Sequence, residues 1–217
     1  MEKISTNGRP ETLIIFTRYP EPGKTKTRLI PMLGAEGAAL LHRRLTEKTL
    51  VTVKEIQAAR SLSVAVYFNG GNQQLMQNWL GTEITYQPQV EGDLGAKMAA
   101  AFQNCFQAGS EKVAIIGTDC PSLNVGILTQ AFEALSEQEL ILGPAADGGY
   151  YLIGLRRLIP DLFRGIRWGT ASVLTETQAI AQVLNLAVAY LPILADVDRP
   201  EDLLSLGAEA MTENLSF

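Results

Sequence analysis

Apolar runs recur along this chain, several of them continuous rather than alternating, and they restrict its fold more than any other feature. They are Thr12–Thr17, Leu62–Phe68, Val113–Gly117, Glu139–Gly143, Tyr150–Leu155 and Ala187–Ile193, with a weaker run at Glu83–Gln87. Successive side chains of a strand point to opposite faces of its sheet, so a continuously apolar strand must be covered on both sides. Helical spacing fills the intervals. Between about residues 35 and 59, Ala38, Leu41, Leu45, Thr49, Val53 and Ile56 recur at three- and four-residue steps. Segments 94–108, 124–135 and 170–184 read the same way. This alternation predicts the α/β class, as a single-domain α/β/α sandwich with a mixed, mainly parallel sheet. Between residues 143 and 155 two short runs flank Ala146-Asp147-Gly148-Gly149. The glycine pair permits a tight reversal, which predicts a hairpin and an antiparallel strand.

The bulk numbers agree. A chain of 217 residues that is 47% hydrophobic and 19% charged can bury one sizeable core. The expected domain spans 11–217, with 1–10 as a polar, loose leader lacking a signal-peptide core. A net charge of -5 argues against nucleic acid as the main partner. Cys105 and Cys120 form no CxxC or zinc spacing, so they read as reduced, buried thiols of a cytoplasmic protein. The longest apolar tract, 179–195, contains Gln182, Asn185 and Pro192. It reads as a buried helix running into a buried strand, not as a membrane span. Nothing in the sequence sets the oligomeric state.

Against this acidic background the loop Arg18-Tyr-Pro-Glu-Pro-Gly-Lys-Thr-Lys-Thr-Arg28 is densely basic. It follows the first apolar run, where open α/β sheets bind ligands beyond their strands. Gly23 lets backbone approach a ligand, and Lys24, Lys26 and Arg28 alternate, so an extended loop would turn all three to one side. A polyphosphate suits that charge; the alternative is a solvated basic turn before the next helix. The loop is not a Walker A motif, because the required upstream glycine falls at Arg18.

Four acidic sites complete the candidates. Asp119, in Gly117-Thr-Asp-Cys-Pro-Ser-Leu123, follows a buried strand and is placed either to hold Mg²⁺ or to cap the next helix. Asp147 either shapes its turn with Gly148 and Gly149 or acts as a ligand, and the pair Asp196 and Asp198, just after an apolar run, either binds metal or caps a helix at Pro200. Asp93 is placed in a binding pocket or at the N-cap of a helix from Leu94. His42, the sole histidine, reads as a surface residue of the long helix, and no Ser-His-Asp or Cys-His arrangement is indicated.

Five ordered blocks carry a resemblance. They are Arg18–Leu29, Glu91–Met98, Gly117–Leu123, Asp147–Tyr150 and Asp198–Asp202. Together they resemble the DUF2064 group of transferases, in the nucleotide-diphospho-sugar transferase superfamily with the GT-A fold. They are also similar to molybdopterin and phospholactate nucleotidyltransferases. The resemblance implies that Lys24, Lys26 and Arg28, with Arg18, Gly23 and Asp93, serve a nucleotide, and that Asp119 ligates Mg²⁺ or Mn²⁺. Many GT-A glycosyltransferases carry Asp-x-Asp, whereas Gly117-Thr118-Asp119 has one carboxylate. This is closer to the nucleotidyltransferase branch, with Asp198 or Asp147 as second metal ligand. Asp147, Gly148, Gly149, Tyr150 and Trp168 are implied on the acceptor side, a core or rim aromatic being the alternative for Trp168.

The reaction expected is therefore nucleotidyl transfer from a nucleoside triphosphate to a small phosphorylated or hydroxyl acceptor, with Lys26, Arg28 and Asp119 catalytic. The rivals are glycosyl transfer from a nucleotide sugar and a nucleotide-binding module without turnover.

Overall fold

The computed structural model describes residues 11–206. The elements run β1 (Glu11–Arg18), α1 (Ile30–Ala59), β2 (Leu62–Asn69), α2 (Gln73–Leu80), β3 (Thr85–Pro88) and α3 (Leu94–Gln107). They continue β4 (Lys112–Ile116), α4 (Val125–Ala134), β5 (Leu140–Pro144), β6 (Tyr150–Leu155), α5 (Val173–Val183) and β7 (Val188–Tyr190). Short 3₁₀ turns occupy Thr27–Leu29, Pro160–Phe163 and Pro200–Leu206.

The continuous runs are apolar because the sheet is covered twice. On β1, Leu13 and Ile15 join one apolar layer while Ile14 joins the other. On β4, Ala114 and Ile116 face the first layer, and Val113 and Ile115 the second. The first layer is completed by α1, α2 and α4, through residues such as Val53, Met76 and Phe132. The second is completed by α3 and α5, through Phe102, Cys105 and Ala181. Phe102 and Phe132 are fully buried, one in each layer. Truncating either to alanine costs about 3–5 kcal/mol.

The strand order is β3-β2-β1-β4-β6-β5-β7. β1 runs parallel to β2 and β4, β2 to β3, and β5 to β7. β6 is antiparallel to both β4 and β5, so the expected hairpin forms and inserts its second strand between them. Its reversal is held by Ala145 N–H donating to the Gly149 carbonyl at 3.1 Å and Gly149 N–H donating to Asp147 Oδ1 at 2.8 Å.

Several details depart from the sequence reading. The helix α2 has no counterpart there. It is one short amphipathic segment, capped by Asn72 and burying Met76 and Leu80, too brief for a period to show. β7 keeps only three residues of the run 187–193. Contact resumes at the Ala145–Leu194 bridge, with Pro192, which has no N–H to pair, lying between. α1 carries a break at Gly34, whose φ of 71° separates its first turn from the long helix expected from about residue 35. Among the described residues no helix is long and apolar enough to cross a membrane. Cys105 and Cys120 are free and buried, as expected, and burial pushes both thiols up to about 12. The leader 1–10 and the domain's last residues, 207–217, lie outside the described residues.

Candidate active site

The strand order reverses at β1, with β2 and β3 on one side and β4 on the other. Loops leaving the adjacent carboxyl ends of β1 and β4 flank a crevice, the place where such sheets take ligands. The loop after β1 is not extended. Lys24 N–H donates to the Glu21 carbonyl at 3.1 Å, Lys26 adopts a left-handed conformation (φ 47°, ψ 44°), and Thr27–Leu29 winds into a 3₁₀ turn. The alternation of Lys24, Lys26 and Arg28 therefore does not give three equivalent cations.

Each has a separate setting. The exposed Lys24 ammonium lies 2.8 Å from Glu21. Arg28 is ion-paired with Asp198. The Lys26 side chain is only 3% exposed, and its ammonium lies 2.7 Å from Asp119 Oδ1, 3.8 Å from Asp198 Oδ1 and 2.6 Å from the Val197 carbonyl oxygen to which it donates. A left-handed backbone at a lysine is strained. Here it turns the ammonium inward onto partners from two distant loops. Arg18 braces the loop, its guanidinium donating to the Lys24 carbonyl at 2.6 Å.

Val197 joins the pieces. Its N–H donates to the Asp119 carbonyl at 2.9 Å while its own carbonyl receives Lys26. Its side chain packs with Leu29, Ala38, Leu45 and Leu203 in a small apolar cluster. Arg28 and Asp198 are thus fixed by the buried neighbours Leu29 and Val197. Asp198 does not cap the turn at Pro200. Asp202 reaches back, its Oδ2 accepting from the N–H of Asp198 at 3.0 Å and of Arg199 at 2.7 Å.

Two cavities meet here. The larger, about 480 Å³, is walled by Arg18, Lys24, Lys26, Arg28 and Lys97, against Asp119 and Asp198. The second, about 260 Å³, is lined by Asp119, Asp147, Asp196, Tyr150, Tyr151 and Trp168. Arg28, Leu94, Gly117 and Asp119 belong to both walls. Burial raises the Asp196 carboxyl above its ordinary range, and the charge of Asp147 raises it further.

The family model described as "Uncharacterized protein conserved in bacteria (DUF2064)" matches residues 52–170. This chain belongs to the DUF2064 family. No curated protein matches it in sequence. Among solved structures it is similar to a candidate nucleotide-diphospho-sugar transferase from Desulfovibrio desulfuricans G20, with 34% identity over 96% of this chain and 90% of that one, and a TM-score of 0.86. It shares its fold with the inositol-1-phosphate CTP transferase of T. maritima, at 14% identity, 94% and 95% coverage and a TM-score of 0.57. It shares it also with Rv0371c of Mycobacterium tuberculosis H37Rv in complex with manganese, at 16% identity, 91% and 97% coverage and a TM-score of 0.55. The fold is thus that of nucleotidyl and nucleotide-sugar transferases.

In this DUF2064 protein the expected residues are only partly gathered. Arg18, Lys24, Lys26, Arg28, Asp119 and Asp198 share the larger cavity, and Asp147, Gly149, Tyr150 and Trp168 the second. Gly23 takes a φ of 79° in the turn and lines neither. Asp93 caps α3, accepting from Ala96 N–H at 2.8 Å, and it too lines neither. Gly148 serves the structure of the hairpin. A Cβ there would stand 2.2 Å from the Ala171 carbonyl oxygen, and its own carbonyl accepts from Leu174 N–H at 2.9 Å.

His42 corrects the sequence reading. It is buried, not on the surface, and lines the larger cavity. Its Nε2 donates to the Arg18 carbonyl at 2.9 Å and lies 3.3 Å from Thr17 Oγ1. Burial pushes its imidazole below the ordinary value despite that bond. It therefore holds the end of β1 in place from beneath. Lys97 is not among the expected site residues either. Lys97 had one available signal: it stands four residues after Asp93, on the first turn of a helix that opens at the crevice.

Asp119 and Asp198 converge on a single cation, the Lys26 ammonium. Among the described residues no group of three or more metal-ligating side chains occurs. Two partly exposed carboxylates are nevertheless an oxygen donor set that fits Mg²⁺ or Mn²⁺, which retain several waters.

Proposed function

We propose that this DUF2064 protein transfers a nucleotidyl group from a nucleoside triphosphate to a small acceptor bearing a hydroxyl or phosphate. The coarser statement, a nucleotide-utilising transferase, rests on the family and fold. The finer one is supported by one observation: the Lys26–Asp119–Asp198 group stands where a cation-lined cavity opens into an acidic, aromatic one.

In this reading the triphosphate lies in the larger cavity against Lys24, Lys97 and Arg28. Arg28 faces the charge that develops on the phosphoryl oxygens, and Lys26, sealed beneath Asp119, acts on it as a nearby positive charge. The acceptor, in the second cavity, forms a bond from its oxygen to the α-phosphorus. The bond from that phosphorus to the bridging oxygen breaks, and pyrophosphate leaves with the electron pair. A hydroxyl proton passes to a neighbouring carboxylate or to water. No side-chain nucleophile is required, because such chemistry depends on positioning and electrostatics. Asp119 and Asp198 would hold the divalent ion, Mg²⁺ or Mn²⁺, whose chemistry is neutralisation of phosphate charge.

Glycosyl transfer from a nucleotide sugar stays as the second reading because the D. desulfuricans relative bears that superfamily's name. A thermal-shift panel of nucleoside triphosphates and nucleotide sugars, with and without Mg²⁺ or Mn²⁺, tests the binding step. Product assays then separate the reactions, with pyrophosphate expected for the first and nucleoside diphosphate for the second. Binding without either product would place the chain among nucleotide-binding modules, and no shift with any nucleotide would overturn the reading altogether.

A further inference from the structure

The two cavities differ in charge, and the difference selects the acceptor. Among the charged residues on the wall of the larger, cations outnumber carboxylates. The second carries the carboxylates of Asp119, Asp147 and Asp196, and its one cationic wall residue, Arg28, is already paired with Asp198. A third cavity, about 390 Å³, continues this acidic surface with Asp147, Asp196, Asp198 and Asp202, again with Arg28 and now with Arg199. A phosphate ester entering the second cavity would face these carboxylates with one cationic side chain on its wall, Arg28, which the larger cavity shares.

The remaining wall is aromatic and rigid. Tyr150 and Trp168 meet edge to face, with ring centroids 6.5 Å apart. The indole edge lies against Gly95 of α3, where an added Cβ would stand 2.7 Å from it. Tyr151 is anchored by its hydroxyl donating to the Pro192 carbonyl at 3.0 Å. Flat apolar rings beside carboxylates suit a compound with an apolar face and several hydroxyl donors.

We infer that the acceptor is an uncharged, polyhydroxylated molecule of the sugar or polyol class, selected against phosphate esters by Asp147 and Asp196. The inference rests on the transferase reading and narrows it. Discrimination arises here from repulsion as much as from attraction. Asp147 Oδ1 is engaged by Gly149 N–H, so Asp147 is held in place whether or not a ligand is bound.

Trp168 supplies a local probe. The chain has two tryptophans, and Trp79→Phe leaves Trp168 as sole emitter. Its fluorescence is titrated with glucose, myo-inositol and glycerol, with glucose 1-phosphate and glycerol 3-phosphate as charged counterparts, and with glucosamine as the cationic arm. The protein carries saturating nucleoside triphosphate and Mg²⁺, and nucleotide binding is followed separately by thermal shift. At least one neutral compound should change the emission saturably, at a concentration about tenfold or more below its phosphate ester. The Asp147→Asn, Asp196→Asn double variant, if its melting curve shows it folded, should narrow that gap; the single variants serve if it is not. An ester that binds as tightly as its neutral partner, or an amine that binds more tightly, overturns the inference. So does an unchanged gap in the folded variants, or silence from every neutral compound while the nucleotide shift persists. Loss of the nucleotide shift itself would instead overturn the transferase reading beneath it.

Discussion

The Lys26 ammonium lies 2.7 Å from Oδ1 of Asp119, and the two side chains differ sharply in exposure, at 3% and 47%. The lysine is sealed inside while the carboxylate still faces the crevice. Lys26 thus lies beneath the crevice floor, with Asp119 as the member of the pair that faces the opening.

Replacing Lys26 by methionine should remove that charge while keeping much of the stem's volume. If Lys26 stabilises the transition state, kcat falls by about 2.7–4 kcal/mol, on the order of a hundredfold to a thousandfold, with KM little changed. Asp119 Oδ1 also loses its partner, so stability falls by about 1–3 kcal/mol. Steady-state kinetics and a urea titration read the two effects separately. A rise in KM alone would make Lys26 a ground-state contact.

Lys97 offers a contrast. It lines the larger cavity and makes no ion pair among the described residues. Lys97→Ala should weaken nucleotide binding about tenfold, with the melting temperature of the free protein unchanged and kcat preserved. Calorimetric titration with a nucleoside triphosphate measures this. An unchanged affinity would place the phosphates elsewhere in the crevice.

Glu11, at the opposite end of β1, predicts a pH effect on stability without touching the site. Burial alone would raise its carboxyl, but hydrogen bonds from Arg60 and Lys112 outweigh it and hold the group below its ordinary value of 4.5. The unfolded chain then binds the proton more readily than the folded one. The contribution is therefore complete above the ordinary value and is lost as pH falls through the lower, folded one. Urea midpoints should decline more steeply below pH 4.5 for the wild type than for Glu11→Gln. Parallel profiles would show that Glu11 is not the group responsible.

Gly148 and Gly149 should respond differently to alanine. At Gly148 the positive φ of 90° and the Ala171 carbonyl both oppose a side chain. The backbone strain alone costs about 1–3 kcal/mol, and the overlap adds to it. At Gly149 the nearest obstacle is Asp147 Oδ1 at 3.1 Å, an ordinary φ applies, and the effect should be smaller. Melting curves of the two variants test the order. Trp168 emission should shift in Gly148→Ala, because residue 148 abuts the loop that carries the indole.

What the sequence made legible was local. Continuous apolar runs marked the strands, because double coverage leaves no polar alternation. Gly148-Gly149 marked the hairpin, and the basic loop and Asp119 marked the crevice, because each directly follows a strand. Pairings between distant segments were not legible. Nothing local shows that Lys26 turns inward to Asp119 while Lys24 stays with Glu21. His42 sits in a helical segment next to Arg43 and Arg44, and only the packing of α1 under the end of β1 reveals that it is buried. Asp93 had two readings, and the cap prevailed because its carboxylate is already engaged by the helix it begins. Asp202, not Asp198, caps the backbone of the last turn, leaving Asp198 for Arg28 and Lys26.

The bond pair at Val197 has a consequence for how the protein matures. Its backbone is the clasp between the loops after β1 and β4, yet it follows β7, the last strand of the sheet. During synthesis the basic loop and Asp119 emerge long before Val197 does. Until Val197 docks, Lys26 lacks its carbonyl acceptor and Asp198 is not brought to Arg28. Completion of the candidate site thus becomes a late event of folding, set by contacts of long sequence separation, which form slowly. A ribosome-bound chain stalled before Val197 would carry a nearly complete sheet and an unfinished site.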